Sequence, residues 1–243
     1  MSVYLATFLF VGYVTGFIYV SLMIAASVAT ALTNLVFDRG TWRIGLFVAP
    51  RIALRDFVFG AAFAIVLVAF GDALIVATTS LHQVRGAGFP WRDLFVVYVP
   101  AVMHEELVFR GYLFQKTRAW NRMFAIASSA LLFGALHTLN RGVTPIAIAN
   151  LVIAGILLAL AYEWFERLWF PIGVHLVWNL ASGPTLGYSV SGYASATTLF
   201  VTSGSGRSWL TGGAFGLEGS IWIAIVELIG VAALLWRRKP RPV

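Results

Sequence analysis

The chain has 243 residues, of which 60% are apolar and 11% charged, and its formal net charge is +7. Soluble domains contain about 45–50% apolar and about 25% charged residues, so a water-soluble fold is excluded. The chain has no cysteine, which excludes disulfides, thiolate metal ligands and a cysteine nucleophile. Its basic residues lie between apolar runs and at the C-terminus, a placement that predicts topology signals and anionic lipid rather than nucleic acid as a partner.

Apolar segments follow one another along the whole chain and predict an all-α, polytopic transmembrane helix bundle. We expect a single integral membrane domain over residues 1–243 with about seven spans, eight being the alternative. The first segment exceeds the roughly 20 residues of a straight span, so it is expected to project from the bilayer or to bend near Gly12 or Gly16. The seven segments are 5–37, 54–79, 94–115, 122–137, 143–164, 168–182 and 219–236.

The connections between these segments differ in basic charge. One alternating set, 38–53, 116–122, 165–167 and the C-terminal tail, holds twelve lysines and arginines, with Arg55 counted at its border, whereas the other set holds four. Because cytoplasmic connections are enriched in Lys and Arg, this bias predicts an N-terminus outside and a C-terminus inside a prokaryotic cell membrane. The stretch 183–218, rich in Gly, Ser and Thr, is predicted to be a long outer loop with a re-entrant or interfacial piece.

Polar residues within apolar segments are the candidates for chemistry, because lipid tolerates them only beside an interior or a wet cavity. The third segment contains His104-Glu105-Glu106-Leu107-Val108-Phe109-Arg110. Glu106 and Arg110 are four residues apart and are predicted to pair on one helix face. Glu105 points about 100° away from Glu106 and lacks that partner, so it is the general-base candidate. Glu227, in the last segment, needs a partner.

Two further clusters follow along the chain. Phe133 and His137 lie four residues apart at the end of the fourth segment, and His175 and Asn179 lie four apart in the sixth. Residues four apart share a helix face, so His175 and Asn179 are expected to point into one cavity. We predict that Glu105, His137, His175 and Asn179 converge on this cavity within the membrane.

The three clusters resemble the motifs of the CAAX-protease and bacteriocin-processing family, also called the type II CAAX prenyl endopeptidase family. Its pattern is Glu-Glu-x-x-x-Arg, then Phe-x-x-x-His, then His-x-x-x-Asn, and the match covers about residues 94–182. The resemblance implies that Glu105, helped by His137, activates a water while His175 and Asn179 hold the oxyanion. It also implies that Glu106, Arg110 and Phe133 have structural or substrate-positioning roles, with Glu106 and Arg110 shaping the site and holding the substrate backbone.

The resemblance implies an intramembrane endopeptidase whose substrate is a membrane-associated peptide or protein, with or without a lipid modification. A divalent metal such as zinc is left open, because Glu105, His137 and His175 form a known ligand set. The sequence lacks His-Glu-x-x-His, however, since Val108 occupies the place of the second histidine. Two alternative functions are a non-catalytic binding or immunity accessory protein and a proton-coupled transporter. Transporters usually have matching polar segments in two halves, and the sequence shows no second polar set that would match the first, which argues against transport.

Overall fold

The structure is a computed structural model that describes residues 17–40 and 42–236. It is 73% helical with little sheet, which confirms the all-α prediction. The bend expected near Gly12 or Gly16 and the basic residues of the C-terminal tail, Arg237, Arg238, Lys239 and Arg241, lie outside the described residues.

Within the described part of the chain, eight helices make up the bundle. Local signals fix several of their starts: Pro50 and Pro145 lie in first turns, where a missing N–H costs nothing. The side chains of Asn121 and Thr144 cap two other free N–H groups by accepting from Phe124 N and Ala147 N. The helices are α1 Ile18–Asp38, α2 Pro50–Thr78, α3 Val99–Phe109, α4 Tyr112–Trp120, α5 Arg122–Leu136, α6 Pro145–Phe165, α7 Trp169–Leu180 and α8 Ile221–Trp236.

Four helical segments are long and apolar enough to cross a membrane: Ile18–Asp38, Pro50–Thr78, Arg122–Leu139 and Pro145–Phe165. The helix Ile221–Trp236 is apolar but shorter. Large apolar side chains such as Val66 and Leu131 are exposed on these helices, as expected where lipid is the solvent. The chain is therefore an integral membrane protein, while the number of seven spans stays a prediction.

The apolar segment 94–115 is not one continuous helix. A short helix, Trp91–Asp93, leads through a π-helical turn, Leu94–Tyr98, into α3, which ends at Phe109. The chain then turns at Arg110 and Gly111 before α4 begins. A Cβ atom on Gly111 would lie 2.1 Å from the carbonyl oxygen of Leu107, so only glycine fits this turn. The break leaves α4 as a separate amphipathic helix.

The connections gather at two ends of the bundle. At one end, which we call the basic end (38–49, 110–122 and 165–168), Arg118 binds Glu163 and Glu166, and Lys116 binds Asp38 at 2.5 Å. At the other end, the loop end (79–90, 137–144 and 186–220), Asn140 Nδ2 donates to the carbonyl oxygen of Ser191 at 2.9 Å. The long helix α2 runs from one end to the other.

The segment predicted as a long loop over 183–218 carries short regular structure. Strand β2, Phe200–Ser203, pairs antiparallel with β1, His82–Arg85, in the register His82↔Ser203 to Arg85↔Phe200. Short helical turns at Ser208–Thr211, Gly213–Phe215 and Leu217–Gly219 lead into α8. No alternating apolar pattern marks the two strands in the sequence, because both are mostly exposed and need no apolar face.

Two glycines let α2 and α7 cross at very short range. A Cβ on Gly60 would lie 2.3 Å from the carbonyl oxygen of Phe170, and one on Gly173 would lie 2.3 Å from that of Phe57. No other side chain fits such a crossing without separating the helices. The contact fixes the height and rotation of α7, and with them the positions of His175 and Asn179.

Candidate active site

One cavity of about 140 Å³ is lined by all four residues that were predicted to converge: Glu105, His137, His175 and Asn179. They come from α3, from the turn that follows α5, and from α7. A single water needs roughly 10–15 Å³ of such space, so the cavity can hold several waters. The geometric prediction of one shared cavity is confirmed by this placement, while the chemical roles of the four residues stay predictions.

Behind this cavity lies the predicted ion pair between Glu106 and Arg110. Arg110 Nη1 lies 3.1 Å from Glu106 Oε1, and both side chains are fully buried. Arg110 Nη2 also donates to the carbonyl oxygen of Gly155 at 3.1 Å. A buried charge is tolerated only when it is paired and hydrogen-bonded, and here the pairing is made through Glu106 Oε1 and Arg110 Nη1 and Nη2, while Glu106 Oε2 and Arg110 Nε have no partner among the described residues. The prediction made from the four-residue spacing is confirmed.

His175 links the two glutamates of the first motif. Its Nδ1 atom lies 2.8 Å from Glu106 Oε1. Because Glu106 pairs with a guanidinium and its carboxylate can only accept, Nδ1 carries the proton of this bond. The other ring nitrogen, Nε2, lies 3.7 Å from Glu105 Oε2. The imidazole ring is thus fixed at one nitrogen and directed at Glu105 with the other.

Glu105 is more exposed than its neighbour Glu106 and makes fewer hydrogen bonds. Its side chain is 22% exposed, whereas that of Glu106 is 0% exposed. Glu106 Oε1 accepts hydrogen bonds from Arg110 and His175, whereas Glu105 Oε2 has no hydrogen-bond partner among the described residues. Glu106 is therefore held in the protein interior, while Glu105 lies at the cavity with His175 Nε2 at 3.7 Å. This asymmetry matches the separate assignments made from the helical angle between the two residues.

His137 is oriented by its own helix. Its Nδ1 atom lies 2.7 Å from the carbonyl oxygen of Phe133, which can only accept, so Nδ1 carries a proton. In the neutral ring Nε2 then has a free electron pair. The centre of the Phe133 ring lies 4.7 Å from that of the His137 ring. The Arg110 guanidinium lies 5.0 Å from the centre of the Phe133 ring. Phe133 therefore packs between His137 and the buried Glu106–Arg110 pair.

Asn179 lies one helical turn beyond His175 on α7, and only 8% of its surface is exposed. Its side chain lines the cavity and makes no hydrogen bond within residues 17–40 and 42–236. A buried amide without a partner has two N–H donors to offer. Asn179 therefore has the donors that the oxyanion prediction requires.

Other polar residues of the cavity were not predicted from the sequence. They come from α1, from the π-helical turn before α3, and from the loop end and α8: Tyr19, Tyr98, Asn140, Ser191, Tyr193, Glu218 and Glu227. Glu227 is recognisable in the sequence as an intramembrane carboxyl that needs a partner, which was the one available signal. Tyr19 and Tyr98 lie within apolar segments and the others in connections, and in neither place does the sequence specify which way a side chain points.

The same geometry bears on the metal alternative. Within 17–40 and 42–236, no three His, Cys, Asp or Glu residues form a group that could hold a metal ion. Glu105, His137 and His175 are therefore not gathered as a metal-ligand set in this structure.

The fold and cavity define an integral membrane protein with a buried Glu/His/Asn site. Residues 87–181 match the family model Rce1-like, described as "Type II CAAX prenyl endopeptidase Rce1-like". This match confirms the family resemblance predicted from the three motifs, and the matched segment contains all of them. Comparisons with curated proteins and with solved structures gave no match.

Proposed function

We propose that the protein is an intramembrane endopeptidase that hydrolyses a peptide bond with a water activated by Glu105. The observation that carries this proposal is the free Glu105 carboxylate at a cavity large enough for water, 3.7 Å from His175 Nε2. General-base catalysis requires a carboxylate within hydrogen-bond reach of the water, or one water removed from it. The family match supports hydrolysis of a peptide rather than of another acyl compound.

In the proposed reaction, Glu105 takes a proton from the water as the water oxygen forms a bond to the scissile carbonyl carbon. The carbonyl π electrons move to its oxygen, which gives a tetrahedral oxyanion. The C–N bond then breaks, and the leaving nitrogen receives the proton that was taken from the water. His137, whose Nε2 is free when its ring is neutral, assists the transfer of this proton.

The oxyanion is held in this proposal by Asn179 and His175. Asn179 has free amide N–H groups at the cavity. His175 can donate from Nε2 only when both ring nitrogens carry protons, and the carboxylates of Glu105 and Glu106 beside the ring stabilise that cation. Removing one oxyanion donor costs about 10²–10³ in rate in characterised hydrolases.

Glu106 and Arg110 are proposed to position groups rather than to react. Their pair is fully buried, and the shared oxygen of Glu106 binds His175. This arrangement keeps His175 at a fixed angle to Glu105. The substrate is proposed to be a membrane-associated peptide, and a lipid-modified one is included because the matched family is named for prenyl endopeptidases.

The proposal is tested by cleavage with purified full-length protein reconstituted in liposomes, using a mixture of membrane-associated peptides, half of them lipid-modified. Products are identified by mass spectrometry and compared with those from Glu105→Gln. We expect wild-type cleavage that is absent from the variant. Equal cleavage by both proteins would overturn the general-base proposal. A wild type that cleaves nothing, together with a biological function that survives Glu105→Gln, would instead favour the accessory-protein alternative.

We also propose that the loop end faces outward and the basic end faces the cytoplasm. The basic end carries most of the lysines and arginines of the connections, which supports this orientation. The absence of cysteine makes a clean test possible with single-cysteine variants in intact bacterial cells. Gln83→Cys at the loop end should react with a membrane-impermeant maleimide, and Thr117→Cys at the basic end should not. The reverse labelling would contradict the proposal.

A further inference from the structure

A carboxyl group that the proposed mechanism does not use lies on the same cavity. Glu227, in α8, lines the cavity and is only 2% exposed. Its Oε2 atom has no hydrogen-bond partner, and no ion pair reaches this side chain within the described ranges 17–40 and 42–236. A charged carboxylate in an intramembrane interior is unfavourable unless it is paired, so a cationic ligand in the cavity would be stabilised by Glu227.

The packing of α8 fixes the direction of Glu227. Ile223, Val226 and Gly230 form the buried face of this helix together with Glu227. A Cβ on Gly230 would lie 2.8 Å from Leu157 Cδ1 of α6, which shows how closely the two helices pack. Because the opposite face carries exposed apolar residues such as Ile229, rotation of α8 would bring Glu227 into contact with lipid. The carboxyl therefore stays directed at the interior.

A second carboxylate, Glu218, lines the same cavity at the start of α8. Its Oε2 atom accepts from the Ser191 backbone N–H and from Ser191 Oγ, both at 2.7 Å. Its backbone is fixed by Asn150, whose Nδ2 donates to the Glu218 carbonyl oxygen at 2.7 Å. Glu218 and Glu227 thus line one cavity, and a cation bound there would be attracted to both carboxylates.

The charged residues of the cavity indicate which charge a bound ligand would carry. Among the described residues, three carboxyl groups line it, those of Glu105, Glu218 and Glu227, and no lysine or arginine does. The buried guanidinium of Arg110 does not line the cavity. It donates hydrogen bonds to Glu106 Oε1 and to the carbonyl oxygen of Gly155. Complementary charge is what an interface uses to choose its ligand. The cavity is therefore suited to a positively charged group.

We propose that Glu227, together with Glu218, binds a lysine or arginine side chain of the peptide substrate close to the scissile bond. The inference rests on the proposed function, because it assigns the occupant of the same cavity. Both carboxyls lie outside residues 87–181 that match the family, so this specificity belongs to the flanking parts of this chain. An uncharged side chain at the same substrate position would leave the two carboxyls unpaired.

The inference is tested with pairs of peptides that differ only by lysine or its isostere norleucine at one position beside the cleavage site. We expect the wild type in liposomes to prefer the lysine peptide in kcat/KM by about 10- to 100-fold, the range of a charge-assisted hydrogen bond. Glu227→Gln should lower this preference to near one. The matched control is Glu166→Gln at the basic end, which should keep the preference.

Two further measurements separate the outcomes. Binding of both peptides to Glu105→Gln, followed by fluorescence, reports on Glu218 and Glu227 without cleavage. Glu218→Gln is the second variant if Glu227→Gln does not fold. Weaker binding of the lysine peptide when Glu227→Gln or Glu218→Gln is added to Glu105→Gln supports the inference. If the wild type cleaves neither peptide, that result refutes only the proposed function. Equal affinity for the lysine and norleucine peptides would overturn the inference and leave a structural role for the two acids.

Discussion

His175 Nδ1 lies 2.8 Å from Glu106 Oε1, so the histidine of the third motif is held by the glutamate that is buried, not by the one at the cavity. The bond joins α3 and α7 across 69 positions of sequence. The two adjacent glutamates therefore have different surroundings, since Glu106 hydrogen-bonds to the ring and Glu105 Oε2 has no hydrogen-bond partner among the described residues. Substitutions at each position can test the separate roles proposed for them.

Glu105→Gln should reduce single-turnover peptide cleavage by at least about 100-fold, the lower range of general acid–base effects. Glutamine keeps the size and hydrogen-bonding capacity of the side chain but cannot take a proton from water. Because Glu105 Oε2 has no hydrogen-bond partner in the described chain, the melting temperature should change little. Full activity in a preparation free of other proteases would remove Glu105 from the mechanism.

Glu106→Gln should damage stability as well as cleavage. It leaves the fully buried Arg110 without its counter-charge, and breaking a buried pair by removing one partner typically costs about 3–5 kcal/mol. The double variant Glu106→Gln/Arg110→Met should recover most of this stability, because no unpaired charge remains, yet it should stay inactive because His175 has lost its carboxylate. Thermal unfolding and cleavage are measured on the same samples. Recovery of activity in the double variant would show that Glu106 does not position His175.

His175→Ala and Asn179→Ala should each lower kcat by about 10²–10³ with a smaller change in KM, as expected for groups that act mainly on the oxyanion. The control is His82→Ala in β1, an exposed histidine that does not line the cavity. It should behave as the wild type. A rise in KM at unchanged kcat would assign either residue to substrate binding instead.

His137→Asn should fold normally but cleave slowly. The asparagine amide can replace the Nδ1 donor to the Phe133 carbonyl oxygen, but nothing then occupies the place of Nε2. His137→Gln places a polar atom near the Nε2 position without a titrating nitrogen, and it should be no faster. Cleavage is compared at matched thermal stability. An active His137→Asn would limit the role of His137 to packing against Phe133.

Gly173→Ala should lower both stability and activity, because the added methyl group would lie 2.3 Å from the Phe57 carbonyl oxygen and would push α7 away from α2. A displacement of this size moves His175 and Asn179 together, and small misplacements of catalytic groups can cost about 10²-fold in rate. The matched control is Val66→Ala on α2, whose side chain is 66% exposed. Unchanged cleavage in Gly173→Ala would show that the glycine crossing does not set the site geometry.

The sequence predicted those features that depend on local spacing. Apolar length located the helices, and the four-residue separation of Glu106 and Arg110 predicted an ion pair that is present at 3.1 Å. The angle between Glu105 and Glu106 on a helix predicted their different surroundings. The three motifs predicted one cavity because their residues are costly in lipid anywhere else.

The features that could not be predicted depend on tertiary packing. The bond between His175 and Glu106 requires the rotation of α7, which is set by the glycine crossing with α2 and not by any local pattern. The break after α3 was signalled by Gly111, but a lone glycine within an apolar run is also tolerated inside helices. Glu227 was recognised as needing a partner, whereas its place beside Glu218 could not be predicted without knowing how α8 lies against α6.

The cavity wall has two origins along the chain. The matched segment 87–181 supplies Glu105, His137, His175 and Asn179, whereas Tyr19, Tyr193, Glu218 and Glu227 come from helices and loops outside it. The residues proposed to react and the two carboxyls proposed to bind the substrate are therefore encoded by different parts of the chain. Under the proposed function, substitutions in the flanking parts would change peptide preference without altering the proposed reacting groups.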